Sequence, residues 1–222
     1  KILSELEILR IAYQVLEALQ YLHSIGIAHR DVKLENIVFC RGITSTASRS
    51  TLDCKLIDFG FAYYENFDQS QSKATLDVPG TTKYLSPELI EKTCVDPYKV
   101  DIWAVGVLMY VLLTGQFPFE QTQAAKKKES YSQPAWKSIS KKTRELVQCL
   151  LNKDPATRVS ATEAITVIDS ILPQDNPKTS KNVALRPVGT KSPTANSDSA
   201  SPMPSTSSGT GLVGRIAQAL KI

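Results

Sequence analysis

Residues 27–39 read IAHRDVKLENIVF, and the rest of the chain is arranged around them. Asp31, Lys33 and Asn36 stand at fixed offsets in a short polar run. Apolar residues close it on both sides, Ile27 and Ala28 before it and Ile37, Val38 and Phe39 after it. A rigid apolar frame around a few polar side chains is how a fold presents chemistry on a loop. Upstream, Ser4-Glu5-Leu6-Glu7 has the capping-box pattern of a helix start. Ile8, Ile11, Val15, Leu19 and Leu22 then recur every three or four residues and give that helix one apolar face. Gly26 is placed to end it in a left-handed turn. Downstream, residues 37–39 and 54–57 read as two short strands. The run 41–52 between them is rich in Ser and Thr without periodicity, the pattern of a surface loop.

Composition excludes several classes. A chain of 222 residues with 42% hydrophobic and 22% charged residues is ordinary globular material, large enough for one or two domains. The formal net charge of +4 is small and dispersed, and no basic and aromatic stripe accompanies it, so no nucleic-acid partner is expected. Cys40, Cys54, Cys94 and Cys149 lie far apart with no CxxC pair, which argues against a zinc site or a disulfide framework. A reducing compartment follows, the cytoplasm with the nucleus as second choice. No signal-peptide pattern opens the chain, and the apolar run 102–113 is too short for a bilayer and reads as a buried helix.

The octet HRDVKLEN, residues 29–36, resembles the catalytic loop of eukaryotic protein kinases, H-R-D-L-x-x-x-N, with Val32 in place of Leu. That resemblance implies phosphoryl transfer from ATP to a protein hydroxyl. Asp31 is then the catalytic base, and Lys33 is the lysine that serine/threonine kinases aim at the transferring phosphate. Asn36 supplies a hard oxygen for Mg²⁺, Val38 is a candidate floor for the adenine ring, and His29 is a core residue under the loop. Glu35 resembles the acidic position of kinases that prefer basic substrates; a solvated glutamate is the competing reading. Asp58-Phe59-Gly60, leaving the second strand, resembles the D-F-G motif. Its aspartate would be the second Mg²⁺ ligand and Gly60 would let the backbone swing.

Residues 61–85 turn polar, like an activation loop, and Ser86-Pro87-Glu88 stands where the family has A-P-E. Thr81 resembles the threonine that ties the substrate platform to the catalytic loop. Ser70, Ser72 and Thr75 are candidate phosphorylation sites whose new charge would pair with Arg30. Asp77, three residues before Gly80, stands where many relatives carry a phosphorylated threonine. It would serve as a permanent anionic partner for Arg30, or be a solvated aspartate. KVDIWAVGVLMYVLLTG, residues 99–115, is apolar nearly all round and resembles the family's central helix, with Asp101, Trp103 and Gly106 in a D-x-W-x-x-G pattern. Extended to Phe119, this run looks closest to the calcium/calmodulin-dependent group. Lys126 to Lys128, Lys141 and Lys142 read as a solvated loop and helix start, with acidic partners or membrane phosphates as the competing reading. Residues 140–151 read as an amphipathic helix, Arg158 of DPATR resembles the partner of Glu88, and Ser160-Ala161-Thr162-Glu163 caps a last helix ending before Pro173.

The expected architecture is mainly α, a kinase-like C-terminal lobe with short β hairpins at the catalytic loop, over residues 1–173. Residues 174–211, rich in Ser, Thr and Pro, are expected to be disordered. Ser192-Pro193 and Ser201-Pro202 there fit proline-directed phosphorylation. Residues 212–222 carry Val213, Ile216, Ala217 and Leu220 at helical spacing, an amphipathic segment expected to fray in isolation and suited to docking on a lobe, a partner or a membrane surface. No glycine-rich loop or strand lysine precedes Lys1, so the N-terminal lobe of the kinase pattern is missing from this chain. Two functions follow from the resemblance. One is a serine/threonine kinase seen as its C-terminal part, with ATP and Mg²⁺ as cofactors, a protein substrate, and its own N-terminal lobe as partner. The other is a non-catalytic binding or scaffold protein.

Overall fold

The computed structural model describes residues 3–40, 53–65, 82–93, 95–119 and 134–173. Helix α1 (Glu5–Ser24) begins where the capping box places it: the Ser4 hydroxyl accepts from Glu7 N–H, and the Glu7 carboxylate accepts from Ser4 N–H at 2.7 Å. It ends at Gly26, whose φ of +75° suits a residue without Cβ. All five residues of the predicted apolar face are buried, together with Leu9, Ala12 and Leu16. Two strands predicted near the loop form an antiparallel ribbon, β2 (Ile37–Cys40) and β3 (Asp53–Leu56), in register Ile37↔Leu56 and Phe39↔Cys54. The ribbon is held to α1 by Gln14, whose Oε1 accepts the Cys54 N–H at 2.9 Å.

A second pair escaped the sequence reading. β1 (Ile27–Ala28) pairs with β4 (Tyr63–Tyr64), Ile27↔Tyr64 and Ala28↔Tyr63. Two-residue strands have no periodicity to detect, so pairing here is set by tertiary context. A short 3₁₀ turn, residues 34–36, was likewise unforeseen. So were two one-turn helices, α2 (Pro87–Ile90) and α4 (Pro134–Lys137).

Helix α3 (Pro97–Thr114) is the spine of the core. Asp96 caps it, Pro97 opens it, and Gly115 at φ +76° stops it. Its 18 residues are long and apolar enough to cross a membrane, which corrects the expectation drawn from the shorter apolar run. Yet 72% of that span is buried inside the protein, as befits a core helix. Trp103, Leu108, Met109 and Tyr110 are fully enclosed, each large side chain contributing roughly 1.5–3 kcal/mol by leaving water. Helix α5 (Lys141–Leu150) approaches α3 at Gly106, where a Cβ would lie 2.9 Å from Leu150 and Leu151 side chains. Helix α6 (Ala161–Ile171), capped by Ser160 and Glu163 as predicted, packs on α1. The expectations for loop 41–52, for Ser70, Ser72, Thr75, Asp77 and Thr81, for Lys126 to Lys128, and for everything after Pro173 fall outside the described residues.

Candidate active site

The loop between β1 and β2 owes its shape to an aspartate from α3. Asp101 is fully buried, and its Oδ1 accepts the Arg30 N–H at 2.7 Å while Oδ2 accepts the His29 N–H at 2.8 Å. Those bonds hold Arg30 at φ +64°, a left-handed conformation that costs a side-chain-bearing residue on the order of 1 kcal/mol or more. His23 adds a third donor to the same carboxylate, Nε2 at 2.9 Å from Oδ2. A charged acceptor with three donors outweighs the strain it imposes.

Beneath the loop, His29 is fully buried, as expected. Its Nδ1 takes the Asp31 N–H at 3.3 Å, and its Nε2 lies 3.1 Å from the Ile57 carbonyl. An acceptor at Nδ1 assigns the proton to Nε2, so the ring bridges the loop to the residue just before Asp58. Phe59 stacks edge-on against this ring with centroids 4.9 Å apart.

The polar residues of the loop meet on one atom. Asp31 Oδ2 accepts from Lys33 Nζ at 2.6 Å and from Asn36 Nδ2 at 2.9 Å. Asn36 Nδ2 also donates to the Asp31 carbonyl at 2.9 Å, so the amide nitrogen faces Asp31 and its Oδ1 is left as an oxygen donor for a cation. The Ile57 N–H bonds to the Asn36 carbonyl at 2.9 Å, which places Asp58 directly beyond this group. Asp58 sits at φ +68° and spends Oδ1 on the Gly60 N–H at 3.1 Å, leaving Oδ2 for a cation. Two hard oxygens on adjacent segments suit Mg²⁺, which keeps most of its ligands as water and phosphate. Among the described residues no cluster of three or more His, Cys, Asp or Glu offers a tighter metal cage.

The surroundings sort the other predicted residues. Val38 is 44% exposed and Glu35 is exposed, so both are open to a ligand. Tyr84, buried beside Leu34 and Glu35, has its phenol pushed up first by burial and then by the Glu35 charge. Arg30 is half-buried, and burial lowers its guanidinium while Asp101 opposes that shift. Below, Arg158 and Glu88 form the expected buried pair, Nη1 to Oε1 at 2.7 Å and Nη2 to Oε2 at 3.0 Å. The remaining donors of Arg158 go to the carbonyls of Lys99, Asn152 and Lys153, and its guanidinium lies over the Trp103 ring. Asp101 thus holds the loop directly, while this pair ties Glu88 to the first turn of α3 at Lys99.

Against known families, the protein kinase domain model matches residues 1–167. The chain belongs to the protein kinase family. Among its kinase relatives, calcium/calmodulin-dependent protein kinase type II of Caenorhabditis elegans is 37% identical over 163 residues, 69% of this chain and 21% of that one. CDPK-related kinase 5 of Arabidopsis thaliana is 34% identical over 160 residues, 69% of this chain and 25% of that one. Among solved kinase structures, the Rad53 kinase domain with SCD2 superposes with a TM-score of 0.58 at 28% identity, covering 75% of this chain and 58% of that one. The chain therefore spans well under two thirds of the length of these relatives. The likeness to the calcium/calmodulin-dependent kinases read from the central helix agrees with these relatives.

Proposed function

We propose that this chain is the phosphate-transfer half of a serine/threonine protein kinase. The observation that carries the reading is the shared Oδ2 of Asp31, held at once by Lys33 and Asn36. A carboxylate fixed in that way keeps its other oxygen in a set direction to accept the proton of an incoming hydroxyl. Lys33 stands beside the same point, where a fixed cation stabilises charge that builds on the transferring phosphate. Asn36 and Asp58 would hold Mg²⁺, and Val38 would lie under the adenine of ATP. Bound Mg²⁺ would neutralise the phosphate oxygens. Lys33 in the loop, and Thr81 by its resemblance to the family's threonine, favour serine and threonine over tyrosine as acceptors. Glu35, exposed beside Tyr84, favours substrates with a basic residue near the acceptor. A cytoplasmic or nuclear location fits such substrates.

The partner we infer is an N-terminal lobe of the same kinase. Val38 at 44%, Ile57 at 41% and Phe59 at 44% exposure all lie on or just beyond the β2–β3 ribbon, large apolar groups on the side where the nucleotide would sit. Apolar residues gathered in this way mark a surface that another body covers.

The test is phosphotransfer to a Ser/Thr peptide by the longest product containing this chain, with Asp31→Asn and Asp58→Asn as controls. We expect kcat to fall by at least about 10²-fold in each, with peptide binding retained. An active Asp31→Asn variant, or a longest product that binds peptide yet never consumes ATP, would sink the enzyme reading and leave a binding protein.

A further inference from the structure

Tyr98 and Glu65 belong to no motif and touch none of the transfer residues, yet they close a ring of contacts around the catalytic loop. Asp96 fixes the first turn of α3 by accepting from Tyr98 N–H at 2.9 Å and Lys99 N–H at 3.3 Å. From that turn the Tyr98 hydroxyl donates to Glu65 Oε2 at 3.0 Å. Its ring lies against the His23 ring, centroids 5.0 Å apart and tilted 57°. His23 in turn holds Asp101 Oδ2 at 2.9 Å, the oxygen that also takes the His29 N–H. Glu65 closes the ring, because its own N–H donates to the Gly26 carbonyl at 2.9 Å immediately before β1. Burial and the Glu65 carboxylate push the Tyr98 phenol up to about 12, so it stays a donor throughout the physiological range.

We propose that Tyr98 and Glu65 are positioning residues, a clasp that registers the segment leaving β4 against the catalytic loop by way of His23 and Asp101. This rests on the kinase reading for its catalytic consequence, but not for its structural one. Residues 98 and 101 are one turn apart on α3, so a pull on the phenol is felt where Asp101 holds His29 and Arg30. If the bond between the Tyr98 hydroxyl and Glu65 is broken, the clasp opens. His23 then loses a packing wall, and the strained backbone at Arg30 loses part of its support.

The structural test is amide exchange, read by NMR on the 222-residue chain. Tyr98→Phe and Glu65→Ala should each speed exchange at His29 and Arg30 by about 3- to 10-fold, the worth of one hydrogen bond, with α5 and α6 unchanged. The double variant should be no worse than either single one, and Glu65→Gln, which keeps an acceptor oxygen, should restore most of the protection. In the longest active product Tyr98→Phe should lower kcat by a similar factor at unchanged KM for ATP. Faster exchange spread evenly over all helices, no change at His29 and Arg30, or an unaltered kcat in an active enzyme would overturn the clasp. If Tyr98→Phe does not fold, Glu65→Ala carries the same expectations. A wild-type product without activity would count against the kinase reading, and the exchange result would still decide the clasp.

Discussion

At Asp31 a single oxygen accepts from two side chains that follow within five residues. That economy made the site readable from sequence: when partners are this close along the chain, backbone geometry alone nearly brings them together. Ser86 shows the opposite case. It stands where the family carries alanine, is fully buried, and its hydroxyl has no hydrogen-bond partner among the described residues. A buried hydroxyl without a partner carries a desolvation cost, so Ser86→Ala should raise stability by about 1 kcal/mol, read as an upward shift of the denaturation midpoint. Arg158 lies between these extremes. Its pairing with Glu88 followed from the family pattern, whereas its three carbonyl partners depend on how α3 and the loop before α6 fold back, which no local pattern records. Arg158→Ala would strand Glu88 in the interior and should cost about 3–5 kcal/mol in equilibrium unfolding.

Elements were legible where they carried a period or a cap. α1, α3, α5 and α6 were read near their ends because Ser4, Gly115, Ser140 and Ser160 supply termini that side chains or glycine geometry enforce. The β1–β4 pair was invisible, since Ile27 and Ala28 pair with Tyr63 and Tyr64, which lie far along the chain beyond the intervening ribbon. The caps also predict a response to acid. Backbone and side-chain hydrogen bonds from Ser4 hold the Glu7 carboxyl below its ordinary value. A group with a lowered folded-state pKa contributes stability that is complete above its unfolded value near 4.5 and is lost as pH falls through the folded value. The amino-terminal turn of α1 should therefore fray as pH falls below 4.5, and Glu7→Gln should flatten that dependence when amide exchange at Glu7 is followed against pH. On α3, Gly106 leaves no room for a methyl group: Gly106→Ala drives a Cβ into Leu150 and Leu151 and should cost about 1–3 kcal/mol despite alanine's better helix propensity.

For the whole molecule, the exposed Val38, Ile57 and Phe59 predict different surface behaviour with and without a covering body. This chain alone should bind a hydrophobic dye and associate as its concentration rises; a longer product that includes a glycine-rich lobe should do neither. Equal dye binding by both would mean that nothing covers this face. The guanidinium of Arg158 carries a further consequence. Its five N–H groups are all engaged, by Glu88 after the activation segment, Lys99 at the start of α3, and Asn152 and Lys153 beyond α5. No one of those regions can melt without uncovering a cation in the interior, so they should share one unfolding event. Denaturation followed at Trp103 and at Trp136 should give superimposable curves, and limited proteolysis should release no stable core that lacks any one of these regions.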